Sequence, residues 1–206
     1  GIDRELTVKV KASVRGTDLH IDFAGSSPQS EWSINSPPQF TYAYTFVGLK
    51  MVVAPHLPNN SGQMRPVRMS MPLGTITNPR YRSVGVAVRH TVGHFCCFAV
   101  LGALSKAVPH QGQAESTPGG FFNIQGLTDG GRPFLAMSKD SPGLGARQDG
   151  DGISCVRFPM SIRNEPVETW EGYLPMFIVV KKEIRTDSGG PGRHRGGYGD
   201  FSRTSS

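Results

Sequence analysis

His90 and His94 stand four residues apart, and Cys97 follows three later. On a helix this spacing puts all three on one side, where two imidazoles and a thiolate can ligate zinc. The residues between the histidines are Thr91, Val92 and Gly93, so the glutamate that serves as base in a helical zinc-protease motif is absent. The plainer reading, two solvated or hydrogen-bonded histidines beside a packed cysteine, is favoured. Cys96 and Cys97 lie inside an apolar run, and Cys155 is flanked by Ile153 and Val156. Burial raises a thiol's pKa and makes it inert, which argues against a nucleophile at any of the three. An odd cysteine count with a vicinal pair does not form a disulfide framework, so reduced thiols are expected.

Two glycine-rich strings carry the other candidate chemistry. Asp140-Ser141-Pro142-Gly143-Leu144-Gly145-Ala146 is followed by Asp149-Gly150-Asp151-Gly152, whose carboxylates are of the type that hard cations use. No glutamate closes the loop as calcium-binding helix-loop-helix sites require, and tight turns select the same Asp and Gly residues. The second string runs from Asp187 and Ser188 through Gly189-Gly190-Pro191-Gly192-Arg193-His194-Arg195 to Gly196-Gly197. Consecutive glycines let backbone N–H groups form a concave anion site, with Arg193 and Arg195 supplying charge. The Lys followed by Ser or Thr of a phosphate-binding loop is missing. One Arg-Gly-Gly unit beside Tyr198 is weak support for RNA binding, and a flexible connection is the plainer reading.

These strings must be positioned by a scaffold, and the sequence outlines one. The 206 residues with 37% hydrophobic content suffice for a buried core, while 26 glycines and 16 prolines spread along the chain predict short elements and long connections. Leu6, Val8, Val10 and Val14 alternate with polar residues, Arg15-Gly16-Thr17-Asp18 makes a turn, and Leu19, Ile21 and Phe23 alternate again, which predicts an antiparallel hairpin. Residues Phe40 to Val53 predict a helix, and Pro66 to Met71 a short strand closed by Pro72. Ser83 to Val108 holds no proline and repeats apolar residues at helical spacing, which predicts a central buried helix. Gly93 and Gly102 inside it cost ~1 kcal/mol each relative to Ala and so suggest close packing against a neighbour. Strands are expected over Phe121 to Ile124, Pro133 to Met137, Ser154 to Met160 and Leu174 to Ile184, and after Thr186 no apolar face remains. The fold class is therefore α+β: a mixed, largely antiparallel sheet with a long central helix and long Gly/Pro-rich loops.

The longest apolar stretch, Phe95 to Leu104, falls short of the ~20 residues of a membrane span. Gly1-Ile2-Asp3-Arg4-Glu5 has neither the basic start nor the apolar core of a secretory signal, so a cytoplasmic location is the expectation. The net charge of +6 includes Arg185, Arg193, Arg195 and Arg203 near the C-terminal end. A solvated or partner-facing end explains these better than nucleic acid does.

Several strings, taken in order, resemble one family. They are Asp22-Phe23-Ala24-Gly25-Ser26-Ser27-Pro28-Gln29, then Asn35, then Pro58-Asn59-Asn60-Ser61-Gly62 with Arg65-Pro66-Val67, then Pro72-Leu73-Gly74-Thr75 with Asn78-Pro79. Gly143-Leu144-Gly145-Ala146 with Asp149-Gly150 follows, then Asn164-Glu165-Pro166-Val167-Glu168 with Glu171 and Pro175, and finally the Asp187 to Gly197 string. Together they span nearly the whole chain and resemble the hydantoinase B-like subunits, which also form the C-terminal half of 5-oxoprolinases and occur in acetone and acetophenone carboxylases. The resemblance implies ATP-dependent opening of a cyclic amide, a hydantoin or 5-oxoproline. In the carboxylase branch it implies ATP-dependent carboxylation of a ketone. It further implies a hetero-oligomer in which a hydantoinase A-like partner binds and cleaves the nucleotide and activates the carbonyl oxygen by phosphorylation.

The resemblance also implies ATP and a divalent metal in the complete assembly. The family's metal-binding motifs lie upstream of the matched region, so no metal ligand is carried over to a numbered residue. A fragment lacking the N-terminal metal-binding region, inactive alone, is the expectation, with a core portion over 1–186 and a Gly/Arg-rich segment over 187–206. No catalytic residue is assigned. Substrate-binding candidates are Asn59, Asn60 and Arg65, which could fix a carbonyl or carboxylate, and Asp187, Ser188, Arg193 and Arg195, whose arginines could hold an anionic intermediate. The rival from another class is a noncatalytic binding module with an RNA-binding basic tail.

Overall fold

Gly16 sets the first sharp turn. It takes φ +61°, a left-handed conformation that glycine adopts without steric cost. Strand β1 (Lys11–Arg15) therefore folds back antiparallel onto β2 (Asp18–Asp22), with Ser13 opposite His20 and Lys11 opposite Asp22. The computed structural model describes residues 4–80, 85, 88–128, 130–139, 141–159, 166–173 and 177–205. Contacts divide the chain into two compact units, Gly1–Gln113 and Ala114–Ser206.

In the first unit, helix α1 (Pro38–Val53) carries the chain from β2 to β3 (Val67–Ser70), which pairs parallel to β2. A parallel pair requires such a crossover. A proline in its first turn starts α1 without losing a helical hydrogen bond, and the Ala54-Pro55 sequence stops it. Helix α2 (Arg89–Ser105) is the long central helix, with Val92, Cys96, Cys97, Phe98, Val100, Leu101 and Leu104 all buried. Helices α1 and α2 approach closely at two glycines. A β-carbon on Gly93 would collide with the Tyr44 ring, and one on Gly48 with the Cys97 carbonyl oxygen. Gly102 differs, since a β-carbon there would meet nothing within 4 Å. Its helical position thus has no packing reason among the described residues.

The observed fold is α+β, and its details depart from the expected boundaries in ways that have physical causes. Strand β1 begins at Lys11 rather than Leu6, because Thr7 and Lys9 find their partners in the Ser26-Ser27 loop. The Thr7 and Lys9 N–H groups donate to the Ser27 and Ser26 hydroxyls at 2.8 and 3.0 Å. The expected helix start at Ser83 lies outside the described residues, as does 84. The other end falls at Ser105, where Pro109 opens a short 3-10 turn.

The second unit holds the antiparallel pair β4 (Phe121–Leu127) and β5 (Pro133–Lys139), a short helix α3 (Val167–Tyr173), and the antiparallel pair β6 (Ile178–Ile184) and β7 (Asp200–Ser205). The strand expected over Ser154 to Met160 is not formed. Residues 154–155 make a turn with Cys155 at φ +56°, and 160 lies outside the described residues. Leu174, Pro175, Asn164 and Glu165 also lie outside them. The segment after Thr186 is structured, since β7 pairs with β6 and puts Phe201 opposite Glu183. Residues 187–205 fall wholly within the second unit. No helix among the described residues is long and apolar enough to cross a membrane.

Candidate functional site

His90, His94 and Cys97 do not converge as a donor set. His90 Nδ1 lies 2.9 Å from the Tyr44 hydroxyl, and its ring stands edge-on to Phe40. His94 is buried, its ring 4.6 Å from that of Phe98. Among the described residues no group of three or more His, Cys, Asp or Glu side chains is placed to hold a metal ion.

Burial pushes the Cys97 thiol up to about 12, and burial together with neighbouring Cys97 raises Cys96 as well. Both thiols are neutral at physiological pH and are core groups. In the unfolded chain they ionise around 9.0, whereas the fold keeps the Cys97 proton to about 12. Above pH 9 the native state therefore binds more protons than the unfolded state, and stability falls as pH rises from about 9 toward 12. Urea unfolding should show a lower midpoint at pH 10 than at pH 8, with part of that drop removed in the Cys96→Ala/Cys97→Ala double variant. An identical drop in the double variant would remove the thiols from the explanation.

Five glycines of the second unit have a shared purpose. β-Carbons placed on Gly143, Gly145, Gly152, Gly189 and Gly197 would each come closer than 3.0 Å to the backbone of another segment. The atoms met are carbonyl oxygens: that of Gly197 for Gly143, Ala114 for Gly145, Leu144 for Gly152, Gly196 for Gly189 and Ile153 for Gly197. These segments lie backbone against backbone and exchange single hydrogen bonds. Leu144 N–H donates to Ile153 O at 2.9 Å, Gly197 N–H to Leu144 O at 2.8 Å, and Gly152 N–H to Arg195 O at 2.8 Å. The strings around 143–146, 149–152 and 187–197, far apart in sequence, thus form one interlocked structure.

Asp151 fastens it. Its Oδ1 accepts from the Arg195 N–H at 3.0 Å and lies 3.6 Å from His194 Nδ1, while Oδ2 is 3.3 Å from Arg195 Nε. The Arg195 guanidinium also lies 4.2 Å over the Tyr198 ring. Asp149 pairs with Arg147 at 3.3 Å, and Arg147 N–H closes the turn on Gly150 O. Both carboxylates are therefore engaged by arginines. Ser188 Oγ donates to Arg185 O at 2.7 Å and accepts from Gly199 N–H at 2.9 Å. Asp187 sits at φ +54° and is exposed. Arg193 is exposed and makes no hydrogen bond or ion pair with a described residue.

A cavity of about 430 Å³ opens beside these segments, with Arg185, Ser188, His194, Asp200, Glu115 and Ser116 among its walls. Asp200 is held there by Ser141, whose N–H donates to its Oδ1 at 2.8 Å. The sequence singled out Arg193 and Arg195, yet the arginine on the cavity wall is Arg185, with the His194 imidazole also lining it. The available signal was positional: Arg185 directly follows the last apolar residue of β6, where the chain turns into the glycine string.

In the first unit, Asn59, Asn60 and Arg65 share one loop. Asn59 Oδ1 accepts from Lys50 Nζ at 2.5 Å, and Asn60 Oδ1 accepts from Gly62 N–H at 2.9 Å, capping the 3-10 turn Ser61–Met64. Arg65 ends that turn, and its carbonyl accepts from Arg68 Nη1 at 2.9 Å while its guanidinium is exposed. The structure thus brings together Asn59, Asn60 and Arg65 in one unit, and Asp187, Ser188, Arg193 and Arg195 in the other.

This architecture recurs in known proteins. Nucleotide-free acetone carboxylase superimposes with a TM-score of 0.79 over 96% of this chain and 27% of its own, at 19% identity, a likeness of fold alone. The ATP-dependent caprolactamase of Pseudomonas jessenii gives a TM-score of 0.77 at 26% identity over 92% of this chain and 34% of its own. In sequence, a protein of Pseudomonas sp. (strain NS671) named as the B-type subunit of a D-/L-hydantoinase is 30% identical over 98% of this chain. The chain spans about a third of that relative's length, 35%. The model of the Hydantoinase B/oxoprolinase family matches from residue 1 to residue 204, and the chain belongs to that family.

Proposed function

We propose that this chain is part of the hydantoinase B-like subunit of an ATP-dependent cyclic-amide hydrolase, one that opens a hydantoin or 5-oxoproline ring together with a hydantoinase A-like, ATP-binding partner. The observation that carries this reading is the family match along residues 1–204. It is supported by sequence likeness to proteins named for cyclic amides, at 30% for the hydantoinase relative and 28% for the caprolactamase one. The relatives' names as subunits support the partner. Nucleotide binding belongs to the partner in this reading, and no step runs through a metal held by the described residues.

Within it, the site candidates take separate roles. Arg193, which no described residue engages, is the group available to hold an anionic intermediate. Arg195, clasped by Asp151 and Tyr198, positions the loop that presents it. Asn59 and Asn60 use their oxygens on Lys50 of α1 and on Gly62 of the loop, so their amide N–H groups are what remain for a substrate carbonyl.

The test is reconstitution of the complete hydantoinase B-like protein with its partner and measurement of ATP cleavage driven by hydantoin, by 5-oxoproline, or by a ketone with bicarbonate. Ring-dependent ATP cleavage is the expected result, and ketone- and bicarbonate-dependent cleavage alone would move the protein to the carboxylase branch. In the active assembly, Arg193→Ala should lower kcat/KM by about 10²-fold, as loss of one charge-stabilising donor does, with unfolding unchanged. Full turnover in that variant would strike Arg193 from the site.

A further inference from the structure

The three-stranded sheet of the first unit has an apolar face, with Ile21 1% exposed, and an opposite face that is polar in every strand. Because side chains alternate along a strand, the register places Lys11, Ser13 and Arg15 of β1, Asp18, His20 and Asp22 of β2, and Arg68 and Ser70 of β3 together on that second face. A depression of about 250 Å³ opens among them, with Lys11, Ser13, Arg15, His20, Asp22, Arg68 and Ser70 on its walls.

The donors and acceptors of this depression are used unequally. Asp18 is taken by Arg68, at 3.0 Å from Nε. Asp22 accepts from the Ala24 N–H at 3.0 Å, and Arg68 also donates to the Arg65 carbonyl. The side chains of Lys11, Arg15, His20, Ser13 and Ser70 make no hydrogen bond or ion pair with any described residue. Five donor-bearing side chains therefore converge around one carboxylate, Asp22, whose Oδ1 is already held by the Ala24 N–H. A solvated guard of the edge strand β1 would explain lysine and arginine there, but a guard needs neither a depression nor serines and a histidine interleaved with the cations.

We propose that this face binds a compact oxyanion, a phosphate or carboxylate group, held between Lys11 and Arg15 with Ser13, His20 and Ser70 as hydrogen-bond donors. The depression is somewhat smaller than the about 300–1,000 Å³ of drug-sized ligand sites, which suits such a group with a short substituent. Paired charge and hydroxyl donors recognise oxyanions by short, charge-assisted hydrogen bonds. This site belongs to the first unit and does not depend on the reaction proposed above.

The test titrates the isotope-labelled chain with inorganic phosphate, with acetate and with chloride at constant ionic strength, following backbone amide resonances. Saturable shifts confined to β1, β2 and β3 are expected with phosphate, or with phosphate and acetate, and not with chloride. Lys11→Ala/Arg15→Ala should weaken the apparent affinity at least tenfold, and Asp22→Asn, which keeps the acceptor for Ala24 and removes a like charge, should tighten it severalfold. Shifts no larger than those of chloride, or affinities unchanged in both variants, would overturn the site and leave the face as a solvated edge guard.

Discussion

Gly145→Ala is expected to destabilise the Ala114–Ser206 unit by about 3 kcal/mol or more, at the upper end of what overpacking costs. The added methyl would point into the Ala114 carbonyl oxygen, and the backbone there cannot swing aside as a flexible side chain can. Ala114 N–H is itself bonded to Ala146 O at 2.8 Å, so relief of the clash must break the contact that holds the two segments together. A matched control lies in the same unit: a β-carbon on Gly190 meets nothing within 4 Å and the residue carries no positive φ. Gly190→Ala should therefore be neutral or stabilising by about 0.4–1 kcal/mol, through a less flexible unfolded chain. Trp32 and Trp170 place one tryptophan in each unit, so unfolding in a Trp32→Phe background reads the second unit alone. A Gly145→Ala midpoint shift equivalent to under roughly 0.5 kcal/mol, the range of ordinary surface changes, would refute the interlocked packing.

What could be read from the sequence follows the range of the forces involved. The β1–β2 hairpin was legible because period-two alternation and a glycine turn are local signals. Helix α2 was legible because 17 residues give several turns over which a 3.6 period shows. Helix α3 has only seven residues, too few for that period to emerge. Strand β7 was missed because residues 200–205 are, apart from Phe201, polar and mostly exposed, and they become a strand only by pairing with β6. The strand expected over Ser154 to Met160 fails for the opposite reason. Its apolar content resembled a strand, but its bonds to the neighbouring glycine-rich segment are the Cys155 N–H on the Tyr198 carbonyl and the Tyr198 N–H on the Ser154 hydroxyl, which do not make a strand ladder.

The candidate site shows the same limit. Each glycine-rich string read alone is a turn, because glycine's conformational freedom is the local signal it carries. The observed reason for most of these glycines is close approach of another backbone, and that is invisible until distant segments are placed together. Arg195 looked like a free cation and is a clasp on Asp151, while Arg193, two residues away, is the one left exposed. Composition could not separate them, since the difference lies in a carboxylate 44 residues earlier.

Asn35→Ala should cost the first unit about 3 kcal/mol, because one buried side chain there serves three backbone groups. Asn35 is fully buried; its Oδ1 accepts from the Ser30 N–H at 2.8 Å, and its Nδ2 donates to the carbonyls of Ser30 at 2.8 Å and Trp32 at 3.1 Å. Removing it strands those groups, each at a desolvation cost of about 1–3 kcal/mol that water entry only partly offsets. The loss also frees the loop where Ser36 N–H donates to Ile76 O and Thr41 Oγ1 to Thr77 O, the bonds that fix the start of α1. Asn35→Asp separates the hydrogen-bond argument from simple loss of volume. The aspartate keeps the acceptor for Ser30 N–H but, once ionised, turns its second oxygen toward two carbonyls. Burial and those carbonyls both oppose the charge, so its folded pKa must rise above the unfolded value of about 3.9. Its stability relative to the wild type is thus greatest below that pH, where the neutral acid can donate to a carbonyl, and falls as pH rises through the folded pKa. Urea midpoints of Asn35→Asp and the parent chain, both in a Trp170→Phe background, should converge on going from pH 7 to pH 4. A gap independent of pH would mean that Asn35 fills space and that its three hydrogen bonds contribute little.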